Sequence, residues 1–137
     1  MELTREEIQT VRDKAEANAQ AHEIYRQTGK ASGIKQHAAA IWSDAQLLYE
    51  YTEYLMTFSY TGLLELQALA AYGKQFLNAE AQPKTLQALY RDISPKKAGI
   101  LLQNDLAHYI AVRANLAAEL GEALRHVDPD TVTLKDE

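Results

Sequence analysis

The stretch of residues 34–78 constrains the fold more than any other part of the chain. In it, apolar and small residues recur at alternating spacings of four and three, which is the spacing of a heptad seam. The members of this row are Ile34, Ala38, Ile41, Ala45, Leu48, Thr52, Leu55, Ser59, Gly62, Leu66, Leu69, Gly73 and Phe76. The pattern predicts an all-α helical bundle built on one very long central helix, from about residue 34 to about residue 78.

Two further rows make this helix apolar on more than one side. One row repeats every seven residues and widens the seam: Trp42, Tyr49, Met56, Leu63, Ala70 and Leu77. The other row lies on a different side of the helix: Leu47, Tyr51, Tyr54 and Phe58. A helix that is apolar nearly all round must be covered on both sides.

Gly62 and Gly73 are the obvious places for this helix to break, since each costs about 1 kcal/mol relative to alanine. The spacing nevertheless passes through both glycines unchanged. Both lie on the seam, where a missing side chain lets another backbone approach closely. We therefore expect one continuous helix, and the alternative is a kink or hairpin at residues 59–62.

A long N-terminal helix begins with a capping box, Thr4 followed three residues later by Glu7, and is expected to end near Thr28 at Gly29. The short linker of residues 29–33 predicts that this helix is antiparallel to the central one. Its buried stripe comprises Ile8, Val11, Ala15, Asn18, His22 and Tyr25. Asn18 and His22 are the polar exceptions, and we expect a buried hydrogen-bonded pair that fixes register rather than a ligand site.

Two more helices are predicted after the central one. Pro83 suits the first turn of a short helix at about 83–92, and Ser94 followed by Pro95 starts a long C-terminal helix that ends near His126. Both long flanking helices are expected to pack on the central helix. Residues 1–137 are expected to form a single domain, in which residues 128–137 are a frayed tail.

The predicted length of the central helix gives a reason to expect assembly. At 1.5 Å per residue the helix would be on the order of 65 Å long. A compact domain of this size has a diameter of about 37 Å. The helix would overshoot its own domain, so either the monomer is elongated or another chain covers the aromatic middle.

Composition narrows the function classes. The chain has no cysteine, which excludes disulfides, thiolate metal sites and cysteine nucleophiles. Its formal net charge of −5 is unlike that of a general nucleic-acid or membrane-surface binder, so neither a membrane nor direct contact with nucleic acid is expected. The absence of a long uncharged apolar run and of a signal sequence predicts a soluble cytoplasmic protein.

One pair of residues has the spacing of a metal site. Asp105 and His108 lie one helical turn apart, as in two-metal sites of four-helix bundles, but such sites need two pairs of this kind. We therefore expect no metal and no cofactor. Asp105 and His108 are the weak candidates for metal ligands. Asn104, His108 and Tyr109 also resemble part of the motif of helical ribonuclease domains called HEPN. Gln103 occupies the arginine position of that motif, so no activity is carried over.

Aromatic residues around the middle of the central helix are the main functional signal. Tyrosine is favoured at partly wet interfaces because it joins a large apolar ring to a hydroxyl group. The expected interface residues are Trp42, Tyr49, Tyr51, Tyr54, Phe58 and Tyr60. The sequence thus predicts a non-catalytic interaction or assembly protein that self-associates or serves as a small subunit of a larger complex. The alternatives are a monomeric bundle that binds a small apolar or aromatic ligand or a metal, and a small helical subunit of a nucleic-acid-associated complex such as a CRISPR effector.

Overall fold

The computed structural model of the chain describes residues 1–31, 34–93 and 103–134. Within these residues the fold consists of packed α-helices and one short 3-10 helix, and they contain no strand, which confirms the predicted all-α bundle. The helices are α1 (Arg5–Ala31), α2 (Ile34–Met56), α3 (Tyr60–Leu77), α4 (Leu86–Ile93), α5 (Gln103–Ala111), α6 (Leu116–His126) and the 3-10 helix Pro129–Thr131.

The predicted single helix over residues 34–78 is wrong, because residues 57–59 are not helical. Ser59 is extended, with φ −66° and ψ 162°, and its Oγ accepts a hydrogen bond from the backbone N–H of Gly62. A serine in this conformation is an N-cap, so it starts a new helix. Because α2 and α3 do not pack along each other, the chain bends here without forming a hairpin. The structure therefore has the kink that was the alternative to one continuous helix.

A side chain from far along the sequence supports this bend. Gln103 Nε2 donates hydrogen bonds to the backbone carbonyls of Met56 and Phe58, which helix termination would otherwise leave without a partner. With the break, the 23 residues of α2 span only about 35 Å. That is no more than the diameter of the domain, so helix length no longer gives a reason to expect assembly.

The N-terminal helix begins as predicted. The backbone N–H of Glu7 donates to Thr4 Oγ1 at 3.1 Å and the backbone N–H of Thr4 donates to Glu7 Oε1 at 3.0 Å, which confirms the capping box. Gly29 does not end the helix, which continues to Ala31. Since only two residues separate α1 from α2 and the two helices pack extensively, they are antiparallel, as predicted.

The C-terminal part differs from prediction in where its helices begin and end. The short helix starts at Leu86 and is capped by Thr85, whose Oγ1 accepts from the backbone N–H of Ala88, so Pro83 precedes the helix. The prediction of one long C-terminal helix is wrong, because the non-helical residues 112–115 separate α5 from α6. Its predicted start at Ser94 and Pro95 lies outside the described residues.

The segment after α6 contacts the rest of the domain. Pro129 is buried, and Val132 and Leu134 pack against the core. The Met1 ammonium donates to the Val132 carbonyl. The tail predicted to be frayed is residues 128–137, and these contacts are made by its first part. Residues 135–137 lie outside the described residues.

The core lies where α6 packs against both α1 and α3. Gly73 of α3 is essential to this packing, because a Cβ atom built on it would lie 1.8 Å from the backbone oxygen of Glu119. The backbones of α3 and α6 therefore touch, which confirms the expected role of a glycine on the seam. At Gly62 the nearest neighbour is instead the Leu3 side chain. The fully buried side chains around this centre include Ile8, Val11, Leu63, Leu66, Leu69, Leu116 and Leu120.

Two buried carboxylates are satisfied inside this core. Glu65 accepts hydrogen bonds from the backbone N–H groups of Glu2 and Leu3, each at 3.0 Å. Burial raises the pKa of the Glu65 carboxyl, and this effect outweighs the two backbone hydrogen bonds, which lower it. Glu119 pairs with Arg113 through both carboxylate oxygens, at 2.9 to 3.0 Å from Nη2. This pair joins the link of residues 112–115 to α6.

Candidate functional site

Of the aromatic residues expected at an interface, two lie in the core and two more pack against it. Tyr51 is 1% exposed and Phe58 is buried. Tyr54 is half-buried, with its ring in an edge contact with Phe58 at 5.1 Å and with Lys14 Nζ 5.2 Å from its centroid. Tyr60 is also half-buried. The row of Tyr51, Tyr54 and Phe58, which we interpreted as a contact surface for another chain, is thus the side of α2 that packs inside this one.

Tyr51 remains unusual among these core residues. Its hydroxyl has no hydrogen-bond partner within residues 1–31, 34–93 and 103–134. Burial raises the pKa of the Tyr51 hydroxyl strongly, and the positive charge of Arg113 opposes this rise only in part. The ring therefore acts as a large neutral core side chain.

A different side of α2 forms an open groove with α5. We call it the α2–α5 groove, and its volume is about 480 Å³. The residues that line it are Ala45, Leu48, Tyr49, Thr52, Glu53, Met56, His108, Ala111 and Val112. Those from α2 belong mainly to the predicted seam and to the row of Tyr49 and Met56. With 100° of rotation per residue, this side is turned by roughly a third of a turn from the core side.

Large apolar side chains in this groove are left open to solvent. Tyr49 is 65% exposed, Val112 is 70% exposed and Leu48 is 38% exposed. Tyr109 of α5, close in sequence to the lining residues, is also exposed. Of the six residues expected at an interface, only Tyr49 is placed here, and the side chain of Trp42 lies outside what the structure describes.

Sequence reasoning missed the α5 side of the groove. The sequence predicts one long C-terminal helix through this region, and Tyr109 and Val112 both lie within it. In the structure α5 ends at Ala111, so Val112 is the first residue of the link and points away from the core. The Arg113 backbone N–H donates to the Ile110 carbonyl, which closes the turn at this point. The only signal for this wall in the sequence was an apolar residue just past the end of a helix. Periodicity does not show where a helix ends, so this signal could not be recognised.

Glu53 is the acidic residue and His108 the basic residue among those that line the groove. Glu53 is on the α2 side and His108 on the α5 side, and both are exposed. Neither side chain has a hydrogen bond or an ion pair within the described parts of the chain. An acidic side chain on one wall and a basic side chain on the other are thus available to a bound molecule.

The weak metal candidates are on the surface of α5. Asp105 and His108 are both exposed. Among the residues that the structure describes, no group of three or more histidine, aspartate or glutamate side chains is arranged to hold a metal ion. The absence of a metal or cofactor stays a prediction.

The polar residues expected to fix register differ in burial. Asn18 is half-buried, and its Oδ1 has no hydrogen-bond partner in the described residues. His22 is exposed, and Ala21 takes the buried place on this turn of α1. His22 is therefore not buried as expected, because the inward-facing position on this turn of α1 is that of Ala21.

Comparison with protein families, with curated proteins and with solved structures gave no match for this chain. In the described residues, no helix is long and apolar enough to cross a membrane.

Proposed function

We propose that this protein is a non-catalytic, self-associating helical protein, and that the α2–α5 groove is its contact surface. The observation that supports this most is the exposure of Leu48, Tyr49 and Val112 along one apolar groove. Scattered exposed apolar residues are common on monomers, but contiguous ones mark interaction sites. Aromatic and large apolar side chains of this kind are also the residues that dominate binding energy at interfaces.

An open groove suits a macromolecular surface better than an enclosed ligand. Ligand pockets bury most of the surface of the molecule they bind. Tyr49 and Val112 are on opposite walls of this groove and remain largely exposed. The groove would therefore cover only one side of a small molecule. The volume of about 480 Å³ does fall in the range of ligand pockets, and this favours a small apolar ligand as the second candidate.

Self-association is tested with two matched leucines. Leu48 lines the groove and is 38% exposed, whereas Leu77 at the end of α3 lies outside the groove and is 47% exposed. We expect Leu48→Glu to weaken self-association by about 2 kcal/mol, or roughly 30-fold, because it places a carboxylate in the apolar contact. Leu77→Glu should leave self-association unchanged. Light scattering during size-exclusion chromatography over a range of concentrations measures both.

Three outcomes are informative, provided that circular dichroism shows unchanged helicity in both variants. A wild-type protein that stays monomeric at millimolar concentration overturns the proposal. Equal weakening by both leucine variants would place the contact elsewhere. A monomeric wild type that binds a fluorescent apolar dye, with binding lost only in Leu48→Glu, would favour the ligand pocket.

A further inference from the structure

We propose that Met56 is a modification site at which peroxide oxidises the methionine thioether to the sulfoxide, and that this change weakens self-association at the α2–α5 groove. The second half of the proposal rests on the proposed function and adds a means of regulating the same surface. The first half concerns one side chain of the folded protein, so it is tested on the monomer.

The position of Met56 gives its sulfur both solvent access and a place in the groove. Met56 is the last residue of α2, its side chain lines the α2–α5 groove, and it is half-buried. The buried part packs against the hydrophobic core. Oxidation of methionine follows exposure, and an open groove admits an oxidant as small as hydrogen peroxide. Met56 is therefore within reach of the oxidant while the protein stays folded.

The composition of the chain makes Met56 the sulfur-containing residue of this surface. The sequence has two methionines and no cysteine, so no thiol competes for the oxidant. The other methionine, Met1, does not line the groove. Methionine is common at binding surfaces because its long unbranched side chain adapts to different neighbours. One sulfur atom thus connects the polarity of the groove to oxidation.

Hydrogen peroxide supplies both the oxygen atom and the oxidising power for this change. A lone pair of the Met56 sulfur attacks one oxygen of the peroxide, so that the S–O bond forms and the O–O bond breaks. The departing hydroxide takes the proton from the transferred oxygen and leaves as water. The sulfur is oxidised and the peroxide is reduced. A methionine sulfoxide reductase reverses the change, with two thiols as the reductant and water as the second product.

Two polar side chains near Met56 already use their donors, so they do not satisfy the new sulfoxide oxygen. Gln103 Nε2 donates to the backbone carbonyls of Met56 and Phe58. Thr52, one turn before Met56 in α2, donates its hydroxyl to the Leu48 carbonyl at 2.8 Å. In the open groove, water donates to the sulfoxide oxygen instead. An apolar partner would displace that water, and burial of an acceptor without a donor opposes binding.

Peptide mass spectrometry after timed treatment with hydrogen peroxide tests the site. The references are Leu48→Met, at a residue that is 38% exposed in the groove, and Leu66→Met and Leu69→Met, at fully buried residues. Exchange of leucine for methionine conserves volume, and circular dichroism checks that each variant is folded. In the monomer, Met56 should be oxidised at least about tenfold faster than the buried methionine of the same molecule, at a rate close to that in Leu48→Met. Oxidation of Met56 as slow as that of the buried methionine would overturn the site.

Light scattering before and after oxidation measures the effect on the groove, with each protein compared with its own untreated sample. Oxidised wild type should self-associate about tenfold more weakly, a change of about 1.4 kcal/mol, because the contact would bury the sulfoxide. In Met56→Leu, which has no sulfur at this position, the same treatment should change nothing. Treatment of the oxidised wild type with a methionine sulfoxide reductase and dithiothreitol should restore self-association. An equal loss in Met56→Leu would overturn the effect.

These experiments separate the modification from the proposed function. If the wild type is monomeric, the proposed function fails together with the effect on self-association, and mass spectrometry still decides whether Met56 is the oxidation site. If Leu48→Glu disrupts self-association of the wild type but complete oxidation of Met56 leaves it unchanged, the groove is the contact and its regulation through Met56 is wrong.

Discussion

Gly73→Ala should destabilise the protein although alanine is the better helix former. A Cβ atom at this position would lie 1.8 Å from the Glu119 carbonyl oxygen, 2.8 Å from the Glu119 carbonyl carbon and 3.0 Å from the Ala123 nitrogen. All three atoms are backbone, so no side-chain rotation can relieve the contact. The only relief is for α3 and α6 to move apart.

The size of the effect follows from that movement. A carbon and a carbonyl oxygen come into contact at about 3.3 Å, so the helices must separate by roughly 1.5 Å. A gap of even 1 Å forfeits up to about half of the dispersion energy between facing atoms. Overpacking of this kind costs about 1 to 3 kcal/mol or more, and the helix propensity of alanine returns about 1 kcal/mol. Because a contact of 1.8 Å to backbone falls at the upper end of that range, we expect a net loss of about 2 kcal/mol in the free energy of unfolding.

Urea denaturation followed by circular dichroism at 222 nm measures this loss, with Gly121→Ala as the matched control. Gly121 is also inside a helix, but its added Cβ would meet only the flexible end of Arg12, at 3.1 Å. That side chain can move, so Gly121→Ala should be neutral or stabilising by up to about 1 kcal/mol. If Gly73→Ala is as stable as Gly121→Ala, the close approach of α3 and α6 is refuted.

Two further predictions concern buried titratable groups. Tyr51→Phe should keep or raise the free energy of unfolding, by up to about 1 kcal/mol, because the hydroxyl has no partner within the described residues; a loss above about 1 kcal/mol in a urea titration would show that it has one. For Glu65, the pKa is raised in the folded state, so its contribution to stability is full below the pKa of the unfolded chain and is lost as pH rises through the folded value. The stability of the wild type relative to Glu65→Gln should therefore decline as the pH rises above about 4, and a difference that grows with pH would contradict the direction of the shift.

Local signals in the sequence were enough to predict that the fold is helical and to predict where one helix begins. Thr4 and Glu7 satisfy each other's backbone groups over three residues, so the start of α1 could be predicted. The break at residues 57–59 could not, because α3 resumes in the same heptad phase in which α2 stopped. The bend is held by Gln103, which is 45 residues from Phe58 in sequence, and periodicity contains no information about such a contact.

The expectation that Tyr51 and Phe58 would be exposed at an interface was wrong for a related reason. Apolar rows on two sides of α2 show that two surfaces are apolar, but they do not show which surface the rest of the chain covers. In the structure the side of Tyr51 and Phe58 is covered, and the side of Leu48 and Tyr49 is left open. On the α5 side of this surface, the helix ends at Ala111 and the next residue, Val112, is exposed. That helix end was hidden by apolar residues that continue the helical pattern past the break.

The hydrogen bonds from Gln103 to Met56 and Phe58 also affect how quickly and how tightly another molecule could bind. They connect the first residue of α5 to the end of α2, and these are the two helices that form the walls of the groove. A groove braced at one end keeps its width before anything binds, so a partner meets a surface that needs little rearrangement. Binding to such a surface loses less conformational entropy than binding to one that must first be ordered. Association at the groove should then be limited by encounter and orientation rather than by refolding of the protein itself.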